Sequence, residues 1–133
     1  MVWVTALYAG LLGLIFAVLS GRVMLWRFSS GVVAGDGGHE SKAAMIRAHA
    51  NFFEYVPICL VMLAVLELNG MSSEWLHALG GLLVLARVLH GVGMSWTLGV
   101  SVGRRVGTAL TMVVLISSAL ACVLQGVMSA PLG

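Results

Sequence analysis

The sequence predicts an all-α membrane protein, a single domain of four transmembrane helices running up and down as a bundle. Three observations carry that prediction. Of the 133 residues, 60% are hydrophobic and 9% charged, with a mean hydropathy of +1.05, outside the balance of a water-soluble domain. Residues 1–21 and 106–133 contain no charged side chain, and each stretch meets the ~20 residues a helix needs to cross a hydrocarbon core. Two further apolar segments, 43–68 and 75–96, are long enough to span but are interrupted by Arg47, Glu54, Arg87 and histidines.

Helix 1 is expected over residues 3–28. A signal peptide would have a basic leader, a shorter apolar run and a small-residue cleavage site; here Arg22 and Arg27 follow the apolar run instead, so the segment reads as a mature helix. The polar, glycine-rich stretch SSGVVAGDGGHES is turn chemistry. Helix 2 is expected over residues 43–68, with Ser41 as candidate N-cap and Asn69-Gly70 as its stop. Ser72 or Ser73 with Glu74 opens helix 3, over residues 74–95. A short stretch holding Gly99, Gly103, Arg104 and Arg105 then leads into helix 4, over residues 104–128. Small residues at helix-contact spacing (Gly10, Gly13 and Ala17; Gly80 and Gly81; Ser117 and Ala121) mark expected close approaches, because in lipid packing replaces the hydrophobic effect as the associating force.

Charge placement predicts orientation. Arg22, Arg27 and Lys42 fall between helices 1 and 2, and Arg104 and Arg105 between helices 3 and 4, while the helix 2–3 turn and both ends carry no Lys or Arg. Positively charged loops stay cytoplasmic, so both termini are expected on the outer side. The net charge of +2 comes without a basic cluster interleaved with aromatics, which argues against nucleic acid as a partner. Cys59 and Cys122 lie in apolar segments without CxxC spacing and read as small buried hydrophobes. No histidine or carboxylate pair has metal-ligand spacing, so no metal is expected.

The informative stretch is RAHANFFEYVP, residues 47–57. At 100° per residue Arg47, Asn51, Glu54 and Tyr55 share one face of helix 2, and Arg87, His90 and Met94 share one face of helix 3. The two polar stripes are expected to face each other. One reading is structural, with Glu54 neutralising Arg47 or Arg87, since a charge at bilayer depth costs ~2.5 kcal/mol or more and needs a partner. The other is a binding site. In the inner half of the bundle Arg22, Arg27, Arg47, Arg87, Arg104 and Arg105 stand against Glu54, and guanidinium stays charged when desolvated and fits carboxylates in a planar fork. A ligand with two carboxylates and one amine satisfies the stripe, its amine on Glu54. Tyr55 is either a site hydroxyl or an interfacial anchor. Pro57 is either a tolerated membrane proline or a functional bend. His49 lies off the stripe and reads as a solvated histidine near the cytoplasmic end, and Glu67 as an outer interfacial carboxylate.

The pattern R-x-x-x-N-x-x-E-x-x-P formed by Arg47, Asn51, Glu54 and Pro57 resembles the signature of the MAPEG family, membrane-associated proteins in eicosanoid and glutathione metabolism. The GDGG loop and the Glu67-x-Asn69-Gly70 helix end resemble its small bacterial branch. The resemblance implies a homotrimer in the bacterial inner membrane, binding glutathione between adjacent subunits at the cytoplasmic side and a hydrophobic small molecule or membrane lipid beside it. It assigns glutathione contacts to Arg47, Asn51, Glu54 and Tyr55, with further contacts from His49, Arg87 and His90 and from Arg27 reaching a neighbouring subunit. It implies that Arg104, or else Arg105, activates the thiol. Enzymes of the family carry helix 3 tyrosines where this chain has His90 and Met94, a departure that bears on catalysis. The expected activity is a glutathione-dependent transferase or peroxidase acting on a lipophilic electrophile. The alternatives are a non-catalytic glutathione- or lipid-binding scaffold of the same fold, and a small proton-coupled exporter built on Glu54.

Overall fold

A computed structural model describes residues 1–94 and 99–129. Four helices account for nearly all of them: α1 (Trp3–Ser30), α2 (Glu40–Leu68), α3 (Ser73–Gly93) and α4 (Val102–Met128). Each is long and apolar enough to cross a membrane. The expected end of helix 3 at Ser95 lies outside the described residues.

Local chemistry sets the ends. Gly31 stops α1 in the left-handed region (φ 69°), its N–H on the Arg27 carbonyl. The α2 helix starts earlier than expected, at Glu40, with His39 at the N-cap and no side-chain cap. Ser41 therefore lies inside the first turn, because the extended backbone needed for capping falls two residues sooner. At the other end Gly70 (φ 82°) closes a Schellman motif: its N–H bonds the Glu67 carbonyl and that of Met71 bonds Leu66. Pro57 sits within α2, on an exposed position, and the helix continues through it. The start of α4 is tied to the end of α3 by Ser101, whose hydroxyl accepts from the Arg104 N–H (3.2 Å) and donates to the Gly93 carbonyl (2.7 Å).

Successive helices run antiparallel. Glu67 near the end of α2 accepts from the N–H groups of Val4 (2.9 Å) and Thr5 (2.7 Å) at the start of α1. This carboxylate, expected to be a plain interfacial one, caps a neighbouring helix and complements its dipole. Tyr8 of α1 sits beside His77 of α3, with its hydroxyl 3.0 Å from Nδ1, and Cys122 of α4 lies level with Met62 of α2. The α2 and α3 helices form the middle of the bundle. Each packs on the other three, whereas α1 and α4 occupy opposite corners and do not touch among the described residues. One apolar cluster, around Leu12, Phe52, Cys59, Leu83 and Val114, fills the centre. A second, around Val4, Leu63, Leu66 and Leu76, fills the end near the α2–α3 turn. Large apolar side chains also cover the outside, among them Leu14, Leu25, Val61, Ile116 and Leu124. That is the arrangement of a chain whose solvent is hydrocarbon.

The close backbone approaches differ from those expected. Gly10 and Gly13 face open space within the chain. Gly80 does make room, for the ring of Tyr8. The close backbone-to-backbone approach is between α3 and α4, where a Cβ on Gly103 would lie 2.8 Å from the Leu89 carbonyl oxygen and one on Gly107 would lie 2.6 Å from that of Ala86. These two glycines bring α4 against the backbone of α3, and with it Thr111, one turn beyond Gly107. Gly107→Ala should therefore lower stability by ~1–3 kcal/mol, the range for overpacking, whereas Gly13→Ala should be neutral or stabilising by up to ~1 kcal/mol on helix propensity. Thermal unfolding of the two variants in detergent checks the contrast; equal midpoints would refute this account of the α3–α4 contact.

Candidate functional site

Arg87 is the centre of the polar constellation. It projects from the middle of α3 into the bundle and is only 1% exposed. One terminal nitrogen donates to Asn51 Oδ1 of α2 (2.9 Å) and lies 3.2 Å from Nδ1 of His90. The other is 3.4 Å from the hydroxyl of Thr111 on α4. The guanidinium carbon stands 5.4 Å from the centre of the Phe52 ring. A guanidinium has no acceptor, so Nδ1 of His90 must accept, which leaves the proton of a neutral ring on Nε2. Thr111 in turn donates to the Gly107 carbonyl (2.8 Å). Among the described residues no carboxylate pairs with Arg87. The cation is held by neutral acceptors from three helices and by an aromatic face.

The α2 stripe divides between two directions. Asn51 and half-buried Tyr55 sit towards the bundle. Arg47 and Glu54 lie on the outside of α2 and pair with each other, Nη1 to Oε1 at 2.9 Å and Nη2 to Oε2 at 3.4 Å, with side chains 53% and 41% exposed. Seven residues are two turns, ~10.5 Å of rise, so the arginine lies along the helix to reach the carboxylate. The expectation of two whole stripes face to face holds for Asn51, Arg87 and His90 and fails for Arg47 and Glu54. Helical spacing fixes which residues share a side of α2, but that face is wide, and its two edges turn in different directions once Phe52 and Val56 are buried in the core.

The remaining candidates are dispersed. His49 is half-buried, and its ring stacks on Phe16 of α1 (centroids 4.9 Å apart, planes at 20°), which also stacks on Phe52. Arg27 lies in the last turn of α1 beside a surface cleft with Met24, Phe28 and Val32. Arg47 lines a second cleft with Asp36, Ala43 and Ile46. Arg104 and Arg105 occupy the first turn of α4 and line a third with Val100 and Thr108. Arg104 is half-buried, with its backbone against Gly93 of α3, while Arg105 is exposed. Three open clefts, lined by Arg27, by Arg47 and by Arg104 with Arg105, make partial surfaces and not one enclosed pocket. Among the described residues no three His, Cys, Asp or Glu side chains gather as metal ligands would. Sequence reasoning missed Thr111, whose only signal was a hydroxyl within the uncharged final span, and Ser101, which presents as an ordinary N-cap.

The arrangement has counterparts. Residues 5–124 match the MAPEG family. The chain belongs to that family. Its curated relatives include the inner membrane protein YecN of Escherichia coli K12 and the protein of the same name from E. coli O6:H1, each 37% identical over 90 residues, which is 68% of this chain and 69% of the relative. The MAPEG match covers all four helices, and with four spans of suitable length the chain is an integral membrane protein. For a MAPEG chain the mixture of buried and outward polar groups is informative: Arg87, His90, Asn51 and Thr111 knit one subunit together, while Arg47 and Glu54 are presented outside it.

If Arg87 depends on neutral acceptors, removing one should be costly. Asn51→Leu should destabilise the protein by ~1–3 kcal/mol, the range for stranding a buried hydrogen-bonding group. Thermal unfolding in detergent reads this, and an unchanged midpoint would show that Asn51 is dispensable to the Arg87 web.

Proposed function

We propose that the protein is a glutathione-dependent transferase or peroxidase of the bacterial inner membrane, acting on a lipophilic electrophile and working as a homotrimer with glutathione between subunits. The observation that carries this reading is the Arg47–Glu54 fork on the outer face of α2. A charge pair this exposed, on a span that lipid would otherwise surround, is expensive to leave unscreened, and a neighbouring subunit with a zwitterionic ligand covers it. Arg47 then takes a glutathione carboxylate and Glu54 its ammonium, so that the ligand opens the fork and replaces both partners. Asn51 and Tyr55 supply polar contacts beside it. Arg87 acts as a positioning residue, since both its terminal nitrogens are engaged by Asn51, His90 and Thr111. Arg27 and His49 complete the charged and aromatic edge near the α1–α2 loop. Arg104 is the better candidate for the thiol because it is half-buried against α3, with Arg105 further out. A guanidinium near the thiol favours the thiolate, the nucleophilic form, and the thiolate attacks the electrophile with no covalent bond to the protein.

One observation favours the non-catalytic scaffold as a second reading. The chain has two tyrosines, and Tyr8 is engaged with His77 near the α2–α3 turn, so Tyr55 alone is left to offer a phenol at this end. The exporter reading is weaker, because Glu54 is not a lone membrane carboxylate but is held by both terminal nitrogens of Arg47.

Titrating glutathione into the detergent-purified protein should give saturable binding and thiolate absorbance, with native mass spectrometry detecting three 14.0 kDa chains. Arg104→Ala should remove the absorbance and keep binding, and Arg47→Ala should weaken binding by roughly 10–100-fold, as for a lost charge-assisted hydrogen bond. Binding without thiolate or turnover would select the scaffold, and no binding would end the glutathione reading. The charge distribution supports an orientation with both termini in the periplasm. Alkaline phosphatase fused at the C-terminus should therefore be active, and inactivity there would reverse the orientation.

A further inference from the structure

Phe16 of α1 is the hub of four stacked rings. His49 lies against it (centroids 4.9 Å apart, planes at 20°), and so do Phe52 (5.5 Å, 27°) and Phe53 (6.2 Å, 29°). Phe52 turns into the core, while Phe53 is 65% exposed on the outside of α2. His49 and Phe53 are four residues apart, so their rings are neighbours on one side of that helix. The stack lies well inside both spans. Phe16 is midway along α1 (Trp3–Ser30), and His49 is nine residues, ~13.5 Å of rise, beyond the start of α2 at Glu40. A neutral imidazole always carries one N–H, yet among the described residues nothing hydrogen-bonds to either nitrogen of His49. A half-buried donor at this depth calls for an acceptor, and acyl tails carry none.

We propose that this surface binds the ring of a lipophilic quinone dissolved in the bilayer, stacked on Phe53 and Phe16 with one carbonyl oxygen accepting from His49. The free N–H at the edge of the stack selects a carbonyl, and the near-parallel rings select a flat ligand. Phenyl faces are electron-rich, so they favour a ring that its own carbonyls have made electron-poor. Depth selects a ligand that dissolves among the tails, since the ester carbonyls of phospholipids stay in the interfacial region. Helical geometry sets His49 ~160° around α2 from Arg47, so the ring stack and the Arg47–Glu54 fork meet different ligands. As a quinone site the surface stands without glutathione. As the seat of the lipophilic electrophile it rests on the glutathione reading.

The test is photolabelling of the full-length protein in phosphatidylcholine nanodiscs, without glutathione, by an azido derivative of decylubiquinone. Label should be saturable and map to α1 and α2 peptides. Decylubiquinone should displace it roughly 3–10-fold better than decylbenzene, which has a ring and the same tail but no carbonyl, as expected for one hydrogen bond. His49→Phe keeps a ring in the stack and removes the donor, so it should weaken quinone binding by the same factor and remove the preference over decylbenzene. Phe53→Leu, at an exposed position, should weaken both ligands, with thermal unfolding confirming that each variant is folded. Displacement by decylbenzene as effective as by the quinone, labelling unchanged in both variants, or label confined to α3 and α4 would each overturn the proposal. So would the absence of saturable label, the result expected if a second copy of the chain covers the stack. With glutathione absent throughout, failure here leaves the glutathione reading intact, and a protein that binds no glutathione should still bind the quinone.

Discussion

A full positive charge with no carboxylate beside it has to be stabilised by geometry, and Arg87 is stabilised in that way by three helices together. In an apolar medium a buried guanidinium without partners costs far more than any single contact can return. Here the cost is spread over an amide, an imidazole nitrogen, a hydroxyl and an aromatic face. Each of these contributes only while its helix stays in register. A shift of α4 by one turn would withdraw Thr111, and a rotation of α2 would withdraw Asn51 and Phe52 together. The arginine therefore specifies the arrangement more than it strengthens it, a role known for buried polar groups that fix register.

The rest of the packing serves that arrangement. In lipid, apolar side chains gain nothing by turning inward, so helices associate through close approach and polar bonds. Gly103 and Gly107 provide the close approach between α3 and α4, and that contact carries Thr111 to within reach of Arg87. Ser101 fastens the same two helices at their joined ends. Both α1 and α4 are attached to the middle pair without touching each other, so the polar web runs through α2, α3 and α4 while α1 packs through aromatic stacking and the Glu67 cap.

Much of this was legible in the residues. Four spans follow from hydropathy, because lipid imposes length and apolarity on every crossing segment. The stop at Asn69-Gly70 follows from glycine's access to positive φ, and the shared faces of Asn51 with Tyr55 and of Arg87 with His90 follow from helical spacing. What could not be read was rotation. Whether Arg47 joins Arg87 or turns outward depends on which α2 residues the core claims, and a helix with apolar side chains on every side gives no amphipathic signal to decide it. For the same reason Gly10 and Gly13 looked like contact glycines and are not, while Gly103, expected in the stretch before helix 4, and Gly107, not singled out within it, are the contact. The stacking of His49 was not legible because its partner Phe16 lies 33 residues earlier, on another helix.

The cap that Glu67 places on α1 also orders events in time. The N–H groups of Val4 and Thr5 are synthesised well before the carboxylate that satisfies them, which belongs to a residue added more than 60 positions later. Until α2 has been completed, the leading turn of α1 depends on water and headgroups for its hydrogen bonds, and it is held at the interface more loosely than the finished protein holds it. The first two helices thus form a hairpin whose closure is a late step in synthesis, and a chain cut short before Glu67 would leave α1 inserted but unanchored at its leading end.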